Sequence, residues 1–252
     1  PSRSMGISAD REVTRAFDVA FSLCMLAVSA PLYPLVMAFI ALEDGRPFFF
    51  TQERLGKGGA PFRLIKFRTM RRDAERIRER LMCENTCDGP QFHIPRDPRA
   101  LRWGHFLRRW SLDELPQFIN VLKGEMSVVG PRPLAEKETR CCPPWREMRL
   151  RVKPGVTGLW QIRRTREPDV DFQEWVRYDT EYVRRRSLAF DLRIVLGTLG
   201  AVMRAAKRSI VTPTQSTTRD AGKGRIERSV VARIEDGLVV SESSPDESQR
   251  AA

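Results

Sequence analysis

Histidine, pairable cysteine and clustered aromatics are all scarce in this 252-residue chain. The two histidines, His93 and His105, stand in no partner pattern, and neither is assigned a role. Five cysteines are an odd number: Cys24 lies in an apolar run, Cys83 and Cys87 are four apart, and Cys141 and Cys142 are adjacent. This is not a secreted disulfide framework, and it points to a reducing compartment. A zinc site from Cys83, Cys87 and the vicinal pair would lack the usual two-residue spacer, so free thiols are the simpler reading. Aromatic residues make up 8% of the chain, and no block interleaves them with basic residues as a base-stacking surface does. No internal repeat and no clear small-residue signal-cleavage site is present.

Negative charge is outnumbered. A formal net charge of +12 calls for an anionic partner: phosphorylated substrate, lipid headgroup or nucleic acid. The missing aromatic blocks put phosphates and lipid ahead of nucleic acid. The length suits one domain of moderate size with appendages.

Charge is also absent from one long segment. Between Ala16 and Leu42 the only charged residue is Asp18. Such a run could cross a hydrocarbon core of about 30 Å as a straight helix of about 20 residues. Pro31 and Pro34 interrupt it, each removing a backbone donor, and Pro31 restricts Ala30. Two half-helices are expected, roughly Thr14 to Ser29 and Leu35 to Leu42. Either they continue as one kinked span or the chain turns back and leaves where it entered. Arg3, Arg11 and Arg15 precede the run and favour a cytoplasmic N-terminus. A re-entrant hairpin then keeps the basic domain and its thiols in the cytoplasm and is preferred. Arg15 and Asp18 read either as an i,i+3 surface pair or as a headgroup anchor at the helix mouth. A second apolar stretch, Phe190 to Met203, is basic-ended and amphipathic; it suits an interfacial helix or a helix packed on the core.

Between these stretches, Phe48 to Leu55 is strand-like, Gly56 to Pro61 supplies turn residues, and Phe62 to Phe67 reads as the returning strand of a hairpin. A charged helix is expected from Met70 to Met82, then a loop from Glu84 to Arg99. A short aromatic-basic helix or turn is expected over Trp103 to Trp110. The next helix should end at Lys123-Gly124. Val128 to Pro133 makes a stiff turn around Arg132, Val152 to Gln161 is turn-rich, and a helix covers Phe172 to Arg185. Beyond Thr212 the composition favours a disordered tail, with a weak strand signal at Val230 to Val240.

The segment Ser111-Leu112-Asp113-Glu114-Leu115-Pro116-Gln117 places two adjacent carboxylates just after Arg108-Arg109. Carboxylates beside phosphate-binding cations are what attack on a phosphoanhydride requires. Ser111-x-x-Glu114 equally matches a helix capping box, in which Asp113 would favour the helix dipole without doing chemistry. Lys66 and Arg68 can be read as the solvated face of the hairpin, and Arg132 as a surface turn charge.

The ordered set of motifs decides between these. Arg15-Ala16-Phe17-Asp18, Phe49 to Gly56, Lys66-Phe67-Arg68-Thr69-Met70, Phe106 to Arg109, Ser111 to Gln117, Asn120-Val121-Leu122, Gly130-Pro131-Arg132-Pro133 and Pro154 to Gln161 together resemble the bacterial sugar transferase family. These are monotopic, polyprenyl-phosphate-dependent phosphoglycosyl transferases that start surface glycan and exopolysaccharide assembly. The resemblance runs from about Arg15 to Leu199. It departs at Ser29-Ala30-Pro31, where the family often has Ser-Pro, and after Gln161, where many members carry Gly-Arg.

The resemblance implies a small α/β (α+β-like) globular domain with an N-terminal proline-broken re-entrant membrane helix and interfacial amphipathic helices. Residues 1–45 would be the membrane segment, 46–212 the cytoplasmic catalytic domain and 213–252 the tail. It implies transfer of a sugar-1-phosphate from a UDP-sugar to undecaprenyl-type polyprenyl phosphate, with release of UMP and a requirement for Mg²⁺, at the cytoplasmic face of a bacterial inner membrane. Asp113 would be nucleophile and metal ligand and Glu114 its catalytic partner. Lys66, Arg68, Arg108, Arg132 and Gln161 would bind substrate, and Arg15, Asp18 and Pro31 would serve the membrane segment. Membrane lipids, but not nucleic acid, would be partners. The competing class is a non-catalytic basic protein that binds membrane surfaces or nucleic acid.

Overall fold

Proline writes the first feature of the fold. In the computed structural model, which describes residues 2–85, 92, 94, 97–140, 142–165 and 171–211, helix α1 (Ser2–Ser29) stops two residues before Pro31. Helix α2 (Leu32–Asp44) starts immediately after it. The two axes are bent by 59°. Pro34 does not delay α2 to Leu35 as expected, because it sits in the first turn, where backbone N–H groups have no intrahelical acceptor to lose. Among the described residues no single helix is long and apolar enough to cross a membrane, whereas the bent pair together is.

The hairpin follows as read. Strand β1 (Phe49–Leu55) pairs antiparallel with β2 (Pro61–Phe67), in register from Phe49 opposite Phe67 to Leu55 opposite Pro61. The charged segment after it is broken where one helix was expected: α3 (Ala74–Arg78) gives way to a 3-10 stretch, Glu79–Glu84. Helix α4 (Arg102–Arg109) leads to a 3-10 turn, Leu112–Glu114, and then to α5 (Gln117–Lys123). Gly124, at φ 84°, ends α5 in the left-handed conformation that glycine adopts readily.

Strand β3 (Ser127–Val129), helices α6 (Glu136–Thr139) and α7 (Pro143–Arg149), strand β4 (Gly155–Thr157) and helix α8 (Leu159–Arg163) complete the centre. β3 and β4 pair in parallel, Ser127 beside Gly155 and Val129 beside Thr157. At their ends the backbones touch. A Cβ on Gly155 would lie 2.0 Å from the Gly130 nitrogen, so only glycine permits the crossing. Helices α9 (Asp171–Arg185) and α10 (Leu188–Val211) close the described chain. The expected tail and its Val230–Val240 strand, and the loop positions 86–91, 93, 95 and 96 with Cys87 and His93, lie outside the described residues, as does Cys141.

Three apolar clusters hold these elements. Phe62, Leu64, Phe118, Val121, Val128, Tyr182 and Ile194 belong to the largest. Val36, Ile40, Phe67, Leu101 and Leu107 join α2, the hairpin and α4. Trp145, Trp160 and Trp175 form an aromatic third with Leu134. Leu112 packs against the first two, so the carboxylate turn sits where those two clusters meet.

Arg15 and Asp18, expected either as a surface pair or as a headgroup anchor, both fasten α1 to the domain. Arg15 donates to the carbonyls of Val121 and Leu122, at 2.6 and 2.7 Å, which caps the C-terminal end of α5. Asp18 is buried and accepts from the Ser127 hydroxyl and the Val128 N–H, at 2.9 and 2.8 Å. Thr14, Ser22 and Ser29 are buried too, while Leu23 and Val28 are 55% and 71% exposed. Helix α1 therefore buries these polar residues beside Phe17, Phe21, Met25 and Leu26, which pack on the core, and still leaves apolar side chains outward, unlike a water-exposed helix. Helix α10 likewise leaves Leu192, Leu196, Leu199 and Met203 exposed, while Phe190, Asp191 and Ile194 on its inward face are buried.

Candidate active site

The carboxylate turn is not a capping box. Ser111 has φ 53°, a left-handed conformation uncommon for a non-glycine residue, and makes no side-chain cap hydrogen bond. The turn it opens is only three residues long, and α5 starts later, at Gln117. The expected help from a helix dipole at Asp113 is therefore withdrawn. What the kink achieves is burial: Asp113 is 6% exposed, and Glu114 beside it is half-buried.

Three cations from separate elements face this pair. Lys66 comes from β2, on the same side of the strand as the buried Phe62 and Leu64, since residues two apart share a face. Arg108 comes from the last turn of α4, with its Nε donating to the Thr69 hydroxyl at 2.9 Å. The Thr69 carbonyl lies so near Gly104 that a Cβ there would come within 2.3 Å of it, which lets α4 settle on that backbone. Arg132 comes from the Gly130-Pro131-Arg132-Pro133 turn, forms a 3.4 Å ion pair with Glu114 and lies 5.3 Å over the Trp160 ring.

Electrostatics record the crowding. Burial, and then the neighbouring Glu114 charge, push the Asp113 carboxyl up to about 6 against the pull of Lys66, Arg108 and Arg132. Burial, with Arg132 next, brings the Lys66 ammonium down to about 8. Burial also lowers Arg108, opposed chiefly by Asp113. Paired titratable groups displaced toward neutrality are characteristic of reaction sites.

Two of the residues assigned to substrate stand apart from this cluster. Arg68 is buried and binds the Asp44 carboxylate, the carbonyl of Gly45 and, at 2.6 Å, the carbonyl of Pro47. It ties the end of α2 to β2, so its expected substrate role is corrected to a structural one. Its partner lies more than twenty residues upstream, a pairing that local spacing does not reveal. Gln161, on α8, forms no hydrogen bond with the carboxylate pair through its Oε1 among the described residues. Its Oε1 and the Trp160 Nε1 are both buried without a hydrogen-bond partner among the described residues, which leaves two polar atoms for a ligand beside Arg132.

Other residues support the site although the sequence assigned them no role. The Asn120 side chain accepts from the Ile65 N–H at 3.1 Å and donates to the Arg63 carbonyl at 2.8 Å, acting as a short surrogate strand that fixes β2 on α5. Arg149 is buried, stacks 4.4 Å over Trp145, pairs with Asp179 at 3.5 Å and donates to the Arg132 carbonyl. Burial pushes Asp179 up to about 6 in spite of Arg149. The signal for Asp179 was present in the sequence: it shares the buried face of α9 with Trp175 and Tyr182, and a carboxylate on an apolar stripe needs a partner.

Comparison with known proteins identifies the family. The family model described as bacterial sugar transferase matches residues 9–205. Exopolysaccharide production protein ExoY of Sinorhizobium fredii is 40% identical over 192 residues, which cover 75% of this chain and 84% of that protein. The undecaprenyl-phosphate galactose phosphotransferase of Salmonella typhimurium is 35% identical over 201 residues, 78% of this chain and 41% of its own. The UDP-glucose:undecaprenyl-phosphate glucose-1-phosphate transferase of Escherichia coli K12 is 38% identical over 205 residues, again 78% of this chain and 42% of its own. The chain thus spans most of ExoY but less than half of the other two.

Proposed function

This chain belongs to the bacterial sugar transferase family, a family of transferase enzymes, and on that premise we propose that it moves a sugar-1-phosphate from a UDP-sugar to polyprenyl phosphate. The observation that carries the reading is the convergence of Lys66, Arg108 and Arg132 on a buried Asp113-Glu114 pair. An anionic nucleophile approaching a diphosphate must overcome charge repulsion, and fixed cations in a water-poor site reduce that barrier most. Structural pairing alone would have given each cation its own carboxylate, as Asp44 is given to Arg68.

In this mechanism the Asp113 carboxylate oxygen attacks the β-phosphorus. The new O–P bond forms as the bond to the bridging oxygen breaks, and UMP leaves with that electron pair. A phosphate oxygen of the polyprenyl phosphate then attacks the same phosphorus and displaces Asp113, leaving a polyprenyl-diphosphate sugar. Lys66, Arg108 and Arg132 offset the diphosphate charge. Glu114, oriented by Arg132, handles the proton or the metal. The unpartnered Trp160 Nε1 and Gln161 Oε1 offer a donor and an acceptor to the rest of the nucleotide sugar.

Mg²⁺ fits the donor set. Among the described residues no three His, Cys, Asp or Glu side chains gather into a cage, but Mg²⁺ is ordinarily held by one or two carboxylates plus substrate phosphates. Asp113 and Glu114 supply such a pair, and their mutual repulsion survives three neighbouring cations. Asp113 would hold the ion, whose charge would neutralise phosphoryl oxygens.

The membrane part of the reading rests on the exposed apolar residues of α1 and α10, which suit lipid. The 59° bend fits a re-entrant helix, and the arginines that precede the apolar run favour the cytoplasmic face of the inner membrane. The ExoY relationship supports a place in exopolysaccharide production. The test is Asp113→Asn: UMP release and covalent labelling by a UDP-sugar carrying radioactive β-phosphate should both vanish. Turnover near the wild-type rate in that variant would end the proposal.

A further inference from the structure

An open cleft of about 640 Å³ lies between α2 and α4, lined by Phe39, Leu42, Glu43, Arg102, Trp103 and Phe106. None of these residues takes part in the site described above. Glu43 is occupied in building the wall: its carboxylate accepts from the backbone N–H groups of Arg102 and, at 3.3 Å, Trp103, which seats the start of α4 against the end of α2. The remaining surface is apolar apart from Arg102. Trp103 and Phe106 are 45% and 47% exposed, and Leu42 is 86% exposed.

The rings do not stop at the cleft. Phe39 stacks on Trp103 at 4.2 Å, Trp103 meets Phe106 at 6.4 Å, and Phe106 meets Trp110 at 6.1 Å. Positions 103 and 106 fall on one face of α4, Trp110 continues that line just past its last residue, and the adjoining face, Gly104 and Leu107, is buried. Eight residues at about 1.5 Å each give a track of about 12 Å. It ends at Trp110, next to the Ser111 kink that presents Asp113. Interface-anchoring aromatics need no particular destination, whereas this row leads from an apolar cleft to the reacting carboxylate.

We propose that the isoprenoid chain of the lipid acceptor lies in the α2–α4 cleft and along the aromatic face of α4, so that its phosphate reaches Asp113 from the Trp110 end. The inference rests on the acceptor being a polyprenyl phosphate, as in the function proposed above, and adds where its chain is held. A phospholipid acyl chain could also fill an apolar cleft, but it carries no group that must meet Asp113. The cleft accordingly acts as the length-sensing part of acceptor recognition.

The test uses the full chain in detergent micelles with Leu42→Ser and, separately, Phe106→Ser. KM is measured for undecaprenyl phosphate and for geranyl phosphate, which is too short to run from Asp113 into the cleft. Each substitution should raise the ratio of the two KM values about tenfold, equivalent to about 1.4 kcal/mol of lost binding. Labelling by UDP-sugar without acceptor precedes the lipid and should persist, which shows that the variants fold. Labelling absent from the wild type would count against the proposed function, not against the cleft. An unchanged ratio, or equal rises for both acceptors, overturns the proposal and leaves these side chains as membrane anchors. A photoreactive polyprenyl phosphate should also crosslink wild-type peptide 102–110, and capture confined to other peptides overturns it independently.

Discussion

Replacing Lys66 by arginine should abolish the alkaline limb of the rate profile while preserving the acid limb. Lys66 is brought from 10.5 to about 8 by burial and by Arg132. At about 1.4 kcal/mol per unit that shift corresponds to roughly 3 kcal/mol against the charged form. The ammonium must be charged to offset the diphosphate, so kcat/KM for UDP-sugar falls as pH rises through about 8. Asp113 must be ionised to attack, so the rate climbs as pH rises through about 6. The wild-type profile, read from UMP release in the first half-reaction, is a bell centred near neutrality. A guanidinium stays charged beyond pH 12. Lys66→Arg should therefore be slower at pH 7, because the geometry changes, yet hold its rate to pH 9 and above.

Linkage separates this outcome from alkaline unfolding. Between about pH 8 and 10.5 the unfolded state binds the Lys66 proton and the native state does not, so this group's contribution to stability rises with pH while activity falls. Loss of rate near pH 8 with no loss of thermal stability is the expected signature. An alkaline limb at the same pH in wild type and Lys66→Arg would refute the reasoning.

Two further predictions concern stability. Between about pH 3.8 and 6 the native state holds the Asp113 proton more tightly than the unfolded chain, so the stability from this group is lost as pH rises through about 6. Asp113→Asn removes that penalty and at pH 7 should raise Tm by several degrees in calorimetry although the enzyme is dead; a lower Tm would contradict the assigned burial cost. Arg149→Met removes the cation that opposes the burial of Asp179 and leaves that carboxylate without its counter-charge, a loss of about 3–5 kcal/mol, and should lower Tm by roughly 10 °C. An unshifted Tm would show that the Arg149–Asp179 pair does not hold the Arg132 turn.

Local signals were legible where local physics decides. Alternation on either side of a glycine-rich turn gave the β1–β2 hairpin, and Gly124 marked the end of α5. Legibility failed where a side chain answers to a distant partner. Arg15 and Asp18 sit three apart and look like a pair, yet each is satisfied by backbone more than a hundred residues away. Arg68 and Lys66 lie two apart, which suggests a shared role. The first is closed off by Asp44 and the carbonyls around Pro47, and the second turns toward Asp113. Ser111 matches a capping box by spacing, but the buried packing of Leu112 and Leu115 around the turn is achieved with a left-handed residue in its place.

The net charge of +12 looks at first like a property of the surface. Part of the basic character is interior. Arg54, Arg68, Arg99, Arg149 and Arg164 each meet a carboxylate with little exposure, and Arg15 is taken up by the end of α5. A nucleic-acid-binding surface would leave such arginines free to reach phosphates along a groove. Lys66 and Arg108 differ from that set: among the described residues neither makes an ion-pair contact with a carboxylate, and both face the buried Asp113. Positive charge left under-compensated around a buried carboxylate is a stability cost that structural packing does not require. Its place in the fold is what the proposed phosphoryl substrate calls for, and the buried setting suits a phosphoryl group better than a polyanion backbone.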